Sequence, residues 1–105
     1  MQNDKALSML GIAAKAGKVV SGEFSTEKAV KSGHAYLVIV SAEASENTKK
    51  SFLNMTDYYH VPCYCYGSKE ELGRYIGKQF RASLAVTDES LARAVESKLK
   101  ESKTE

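Results

Sequence analysis

The chain has no tryptophan, one proline and only two cysteines among its 105 residues. Two cysteines can form at most one disulfide, which is too few for a disulfide-rich secreted scaffold. Cys63 and Cys65 also lack the second pair of ligands that a zinc site needs. We expect both thiols to be reduced and buried. No apolar run reaches the length of a membrane span, and the first residues lack the basic, apolar and small-residue order of a signal peptide. These absences predict a cytoplasmic protein with no membrane segment, metal or cofactor.

An excess of one charge is also absent, because 15 basic residues face 13 acidic ones and the formal net charge is +2. The small excess is unevenly distributed along the chain. Residues 1–41 and 68–86 each carry +2, whereas residues 42–67 and 87–105 each carry −1. A total this small does not by itself indicate a nucleic-acid partner. If the two basic segments meet in space, however, they form one cationic patch on a nearly neutral body.

The apolar pattern switches repeatedly between helical and strand-like periodicity, which is typical of an alternating α/β domain. Strands are predicted at residues 18–21, 36–40 and 82–86 and in the cysteine-bearing run after Pro62. Helices are predicted from a cap at Asn3, over residues 23–32, after Ser45, over residues 69–76 and after Asp88. We therefore expect one domain over residues 1–100, a three-layer α/β/α sandwich around a four-stranded mixed sheet, and a polar frayed tail at 101–105.

The segment KVVSGEFSTEKAVKSG, residues 18–33, is the most informative part of the chain. A short strand of β-branched residues ends at Gly22, and a helix begins directly after it. The unpaired backbone N–H donors of the helix start therefore lie beside the side chains of its first turns. Phe24, Lys28 and Lys31 recur at i, i+4 and i+7 and share one stripe. Such a surface suits a phosphate-bearing ligand. Alternatively, Phe24 anchors the helix start in the core and the lysines are only solvated.

The second basic segment contains a loop before the last predicted strand. Lys78, Gln79, Phe80 and Arg81 fill this loop. The two cations can hold phosphate oxygens, while Phe80 offers a flat apolar face to an unstacked base. Alternatively, Phe80 turns inward and the charges only keep the loop solvated.

Several stretches of this sequence resemble one known family. They are LGIAAKAGKVVSGE, KAVKSGHAYLVIVSAEAS, YYHVPCY and LGRYIGK, within a region from about Leu7 to Val95. The chain resembles the kink-turn RNA-binding ribosomal proteins, named after the archaeal large-subunit protein L-seven-Ae, and within them the bacterial YlxQ-like branch. The resemblance implies an α/β/α RNA-binding fold and a nucleotide-sheltering loop at residues 77–81.

The resemblance also implies a helix start with the pattern Gly-x-Asn-Glu-x-x-Lys, which enters RNA at a sharp bend flanked by sheared G·A pairs. Gly22 and Lys28 match that pattern. Phe24 and Ser25 stand at its asparagine and glutamate positions, and Glu23 is one residue out of register. The amide and carboxylate that read guanine edges in that family are therefore absent from this chain.

Motifs of the common enzyme classes are missing from the sequence. It has no Gly-x-Gly-x-x-Gly turn, Walker loop or nucleophile elbow, and no convergent acid, base and nucleophile, so we predict that the protein is not an enzyme. A second function class remains open, namely a protein-docking module of the translation machinery without direct RNA recognition. Its surface would be Tyr58, Tyr59, Tyr64 and Tyr66, although tyrosines are equally common half-buried in a sheet.

The sequence thus predicts a monomer that binds structured RNA without catalysis. The expected ligands are kink-turn or similar elements in ribosomal or another stable RNA, bound within the ribosome or apart from it. The predicted RNA-binding residues are Lys18, Gly22, Glu23, Phe24, Ser25, Lys28, Lys31, Lys78, Gln79, Phe80 and Arg81. This prediction requires that the start of the second helix and the loop before the last strand lie side by side.

Overall fold

The structure is a computed structural model that describes residues 4–103. Helices and strands alternate along the chain. The helices are α1 (Lys5–Lys15), α2 (Glu23–Lys31), α3 (Glu46–Tyr59), α4 (Lys69–Tyr75) and α5 (Glu89–Lys103). The strands are β1 (Val19–Ser21), β2 (Leu37–Val40), β3 (Cys63–Cys65) and β4 (Ser83–Val86). Each predicted helix and strand is present, which confirms the alternating α/β pattern.

The four strands form one mixed sheet in the order β1-β4-β2-β3. Strand β4 runs antiparallel to both β1 and β2, and β3 runs parallel to β2. The two edge strands, β1 and β3, are three residues long. Because β1, β2 and β3 all end where β4 begins, the segments that follow these three strands gather beside the loop that enters β4. We call this side of the sheet the β4-entry end.

Helices cover both faces of the sheet, which confirms the three-layer sandwich. The central strands β2 and β4 are buried along their whole length, and successive side chains point to opposite faces. On one face, Leu37, Ile39 and Leu84 pack in a single cluster with apolar residues of α1, α4 and α5. On the other face, Val38 and Val40 cluster with residues of α2 and α3.

Side-chain caps fix the starts of most helices. Ser45, Ser68 and Asp88 accept the backbone N–H three residues further along, as their positions in the sequence predicted. Helix α1 is capped by Asp4, whose carboxylate accepts from Leu7 N at 2.9 Å. The predicted cap, Asn3, lies outside the described residues. Two neighbouring residues of similar capping ability make this boundary ambiguous in the sequence.

The last helix is longer than the apolar pattern indicates. We expected the domain to end at residue 100 and a frayed tail to follow, but α5 continues through Lys103. Leu99, the last residue of the apolar stripe, is buried. One further helical turn pairs the backbone carbonyls of residues 97–99, which would otherwise lack partners in the helix. Residues 104 and 105 lie outside the described part of the chain.

The prediction that both cysteines are buried is wrong for Cys65. Both thiols are free, but Cys63 is half-buried against the α2/α3 side of the core and Cys65 is exposed. Cys65 is the last residue of an edge strand, beyond the part of β3 whose side chains pack against that core cluster. Burial raises the pKa of the Cys63 thiol to about 11, although a hydrogen bond with Thr56 partly offsets this effect.

We expect iodoacetamide to label Cys65 at least about tenfold faster than Cys63 near pH 8.5, because the thiolate is the nucleophile. Single-cysteine variants, Cys63→Ser and Cys65→Ser, separate the two rates by intact-mass spectrometry. The difference should disappear in denaturant, where both thiols are solvated. Equal rates in the folded protein would contradict the unequal exposure of the two side chains.

Candidate nucleic-acid interface

The two basic segments of the sequence meet at the β4-entry end. The backbone N–H of Gly22 donates to the carbonyl oxygen of Ser83 at 3.0 Å, and Nε of Arg81 donates to Oγ of Ser21 at 3.0 Å. The start of α2 and the loop before β4 therefore lie side by side, as the sequence argument required. We call the surface formed by residues 22–28 and 77–81 the β4-entry surface.

Helix α2 begins without a side-chain cap. Its N-cap residue is Gly22, with φ 92° and ψ 156°, a backbone conformation essentially restricted to glycine. A Cβ at this position would meet nothing within 4 Å, so glycine is required here by its backbone conformation and not by crowding. Among the side chains of residues 4–101, none accepts a hydrogen bond from the first backbone N–H groups of α2. The helix start therefore offers hydrogen-bond donors and the positive end of the helix dipole to an approaching anion.

Two aromatic rings project from the β4-entry surface. Phe24 is 77% exposed and Phe80 is 67% exposed. The alternatives in which either ring packs into the core are therefore wrong. An exposed phenyl ring at each side of the surface provides a face on which an unstacked base can lie.

Two cations of this surface are free of ion pairs. Lys28 and Lys78 are exposed, and neither contacts a carboxylate within the part of the chain that the structure describes. Lys78 lies beside a cavity of about 350 Å³ that is lined by Glu70, Arg74, Lys78, Gln79 and Phe80. The surface thus combines open backbone donors, uncompensated ammonium groups and aromatic faces, the combination that nucleic-acid backbones and unstacked bases require.

Arg81 has a different position from the other cations, because its side chain is half-buried and bonded within the protein. Besides its bond to Ser21, its Nη1 donates to the carbonyl oxygen of Phe80 at 2.8 Å. Its backbone N–H donates to the carbonyl oxygen of Lys69 at 3.1 Å. Arg81 therefore fastens the loop to β1 and α4, which the loop sequence alone did not indicate.

Lys18 and Lys31 lie away from the β4-entry end. Lys18 precedes β1, and its carbonyl oxygen accepts from the N–H of Thr87, beyond the far end of β4. Lys31 is the last residue of α2, about 12 Å from the helix start. Its Nζ lies 2.7 Å from Oε2 of Glu27, and the hydrogen bond and charge of Glu27 raise the pKa of Lys31 above its ordinary value. Neither lysine therefore lies at the start of α2 or in the loop before β4. Lys31 is a neighbour of Lys28 on the same stripe of α2, but its ammonium is paired with Glu27.

Gly73 allows the backbone of the loop before β4 to contact the backbone of α4. A Cβ on Gly73 would lie 1.3 Å from the carbonyl oxygen of Gln79, so the loop backbone rests directly on the backbone of α4. The carbonyl oxygen of Gly73 also accepts from Lys78 N at 2.8 Å. Gly73 was not among the predicted site residues. The available signal was a glycine within a helical pattern, which usually marks close packing.

The four tyrosines of the alternative docking surface do not form one surface. Tyr64 donates to Oε2 of Glu96 at 2.9 Å and Tyr66 donates to Oδ2 of Asp4 at 2.6 Å, so both rings lie on the α1/α5 face of the sheet. Tyr58 and Tyr59 are exposed on α3, which covers the opposite face, and touch edge to face at 5.0 Å. The sheet therefore separates the two pairs.

Comparison with known proteins identifies the family. Residues 4–96 match the model of the Ribosomal protein L7Ae/L30e/S12e/Gadd45 family. The chain belongs to this family. The resemblance that the sequence suggested is thereby confirmed. The assignment to the bacterial YlxQ-like branch is also confirmed, by the two relatives described next.

Two relatives carry the same name. Over 84 residues the chain is 43% identical to the RNA-binding protein YlxQ of Bacillus subtilis, which covers 80% of this chain and 84% of the relative. It is 37% identical over 89 residues to the RNA-binding protein YlxQ of Enterococcus faecium, with 85% of each chain covered. A solved structure of a protein of unknown function from Bacillus halodurans C superposes with a TM-score of 0.90 at 37% identity, covering 93% of this chain and 99% of that one.

Two residues of the Gly-x-Asn-Glu-x-x-Lys pattern, the glycine and the lysine, are present at the start of α2. Gly22 precedes the first helical residue and Lys28 is exposed on the second turn. Phe24 places an exposed ring at the asparagine position, and Ser25, at the glutamate position, is half-buried. Glu23 is exposed in the first turn.

None of the helices within residues 4–103 combines the length and apolar character that crossing a membrane requires.

Proposed function

We propose that this family member binds structured RNA, without catalysis, through the β4-entry surface. The observation that carries the proposal is the pair of hydrogen bonds, Gly22 to Ser83 and Arg81 to Ser21, that joins the start of α2 to the loop before β4. Two weakly basic segments thereby become one surface. The names of the Bacillus and Enterococcus relatives, both RNA-binding proteins, support the same function.

Each part of the surface has a distinct role in the proposed complex. Gly22 lets an RNA phosphate approach the open N–H groups of Glu23, Phe24 and Ser25. Lys28 and Lys78 neutralise phosphates on either side of the bound segment, and Gln79 supplies an amide beside them. Phe24 and Phe80 stack on bases that are not paired. Arg81 holds the loop in place through Nε and Nη1, and its other guanidinium N–H groups can donate to a phosphate.

The RNA that fits this surface is a bent or looped element, a kink-turn or a similar element in ribosomal or another stable RNA. Phe24 and Ser25 cannot present the amide and carboxylate that read guanine edges, so recognition depends on the shape of the bend and on stacking. The protein acts as a monomer in the cytoplasm, where such RNA is found.

The test is a gel-shift comparison between a kink-turn RNA with its sheared G·A pairs intact and the same RNA with those pairs replaced by Watson–Crick pairs. We expect the intact RNA to bind about tenfold more tightly, because the replaced RNA must be bent at an energetic cost before it fits. Equal affinity would contradict the kink-turn part of the proposal. Binding of neither RNA at low salt would contradict RNA binding through this surface altogether.

A further inference from the structure

A second groove lies between α1 and α4, next to the β4-entry surface. Its volume is about 400 Å³, and the residues that line it are Ser8, Gly11, Ile12, Lys15, Arg74 and Tyr75. The two helices approach closely at Gly11, where a Cβ would lie 3.1 Å from the carbonyl oxygen of Tyr75. Ile12 is 54% exposed and also lines the groove, so part of the groove surface is apolar. We call it the α1–α4 groove.

The charge of the α1–α4 groove is of one sign. None of the described residues that line it is acidic, and Lys15 and Arg74 form no ion pair within residues 4–103. The guanidinium carbon of Arg74 lies 5.8 Å from the centroid of the Tyr75 ring. The groove therefore presents two cations without ion pairs beside the apolar surface of Ile12.

The exposed face of α5 carries the same two types of cation in a different electrostatic setting. Arg93 and Lys100 line a separate groove together with Glu96 and Glu101. Nη2 of Arg93 lies 2.7 Å from Oε2 of Glu89, and Nζ of Lys100 lies 4.0 Å from Oε2 of Glu96. The α5 cations are thus compensated within the protein, whereas those of the α1–α4 groove are available to a polyanion.

Arg74 connects the α1–α4 groove to the proposed RNA-binding surface. It lines this groove and also lines the cavity beside Lys78, Gln79 and Phe80. The two cavities therefore adjoin at Arg74, with Lys15 lining one, and Lys78 together with Glu70 lining the other. The groove therefore lies next to the surface that we propose for RNA.

We propose that the α1–α4 groove binds the sugar-phosphate backbone of an RNA helix that continues from the element held at the β4-entry surface. This inference rests on the proposed function and extends it. Lys15 and Arg74 contact phosphates, the apolar faces of Ile12 and Tyr75 pack on a ribose, and the hydroxyl of Ser8 pairs with a 2′-hydroxyl. None of these contacts reaches a base edge, so the groove binds flanking helix of any sequence.

The experiment compares two RNAs, a minimal bent element and the same element with both stems extended by about ten base pairs of arbitrary sequence. We expect the wild-type protein to bind the extended RNA about tenfold more tightly. The double variant Lys15→Gln/Arg74→Gln should lose most of the gain from extension. Lys15→Gln alone, which leaves the cavity beside Lys78 unchanged, should bind the minimal RNA like the wild type and lose part of that gain. On the extended RNA, the log-log salt slope of the double variant should be less steep by about 1.4 to 1.8, as expected for two lost phosphate contacts.

Arg93→Gln/Lys100→Gln is the matched control, since it removes one arginine and one lysine from the compensated α5 groove. It should bind both RNAs like the wild type. The inference is overturned if the wild type gains nothing from extension, or if Lys15→Gln/Arg74→Gln binds the extended RNA like the wild type. The second result would favour a protein contact at Ile12 and Tyr75. Binding of the minimal RNA would leave the proposed function intact in both cases, whereas failure of the wild type to bind either RNA would defeat both proposals.

Discussion

Gly73→Ala is expected to lower the free energy of unfolding by about 1 to 3 kcal/mol or more and to weaken RNA binding at the same time. The new Cβ would lie 1.3 Å from the carbonyl oxygen of Gln79 and 2.4 Å from its carbon. Both atoms belong to the backbone, so no side-chain rotation relieves the clash. The loop before β4 must move away from α4 by about 2 Å to restore ordinary contact distances. Urea unfolding and the gel shift with the intact kink-turn RNA measure the two effects.

Gly11→Ala is the matched control for this substitution, because Gly11 is also a helical glycine that faces another backbone. Its Cβ would lie 3.1 Å from the carbonyl oxygen of Tyr75, which a shift of a few tenths of an ångström accommodates. Alanine otherwise stabilises a helix interior by about 0.5 to 1 kcal/mol relative to glycine. We therefore expect only a small net change at Gly11. A Gly73→Ala protein with wild-type stability and RNA affinity would contradict the close loop contact.

Lys28→Glu/Lys78→Glu should lower RNA affinity about a hundredfold or more at moderate salt, because each substitution replaces attraction to a phosphate with repulsion. The log-log salt slope should become less steep by at least about 1.4 to 1.8, the contribution of two phosphate contacts. Folding stability should change little, since both lysines are exposed and form no ion pair within residues 4–103. Titration of the minimal RNA at several salt concentrations gives both the affinity and the slope.

Lys18→Glu/Lys31→Glu provides the matched reversal at two lysines that the structure places away from the β4-entry end. It should reduce affinity for the minimal RNA by about tenfold at most, because neither lysine contacts the RNA in the proposed complex and only repulsion from the added charges remains. If the two double variants weaken binding equally, the RNA contacts are not concentrated where α2 begins. The result would then favour a surface that extends along the whole of α2 and β1.

The fold could be predicted from the sequence because local signals agree with the tertiary arrangement. The run Leu37–Val40 is apolar throughout, as a central strand covered on both faces requires. Ser68 and Glu71 have capping-box spacing, and the structure contains that capping box. The exposure of Cys65 could not be predicted, because it depends on β3 being an edge strand, and strand order has no local signature. The meeting of the two basic segments depends on the same order.

The site was predictable to the extent that its chemistry lies in short segments. Phe24 and Phe80 were identified as candidates, but residue type and spacing do not distinguish an exposed ring from a core anchor. The Glu27–Lys31 ion pair could have been inferred, because a glutamate four residues before a lysine is the favourable helical spacing. Contacts between distant segments determine two further features, the hydrogen bond by which Arg81 joins the loop to β1 and the position of Arg74 in two cavities. No local pattern encodes those contacts.

The sheet has a consequence for how copies of this chain meet at high concentration. Its two outer strands, β1 and β3, have only three residues each. Edge strands this short expose few unpaired backbone donors and acceptors, so they are poor templates for the addition of a strand from another molecule. The short outer strands thus disfavour amyloid-like stacking, whereas a net charge of +2 adds little repulsion between copies.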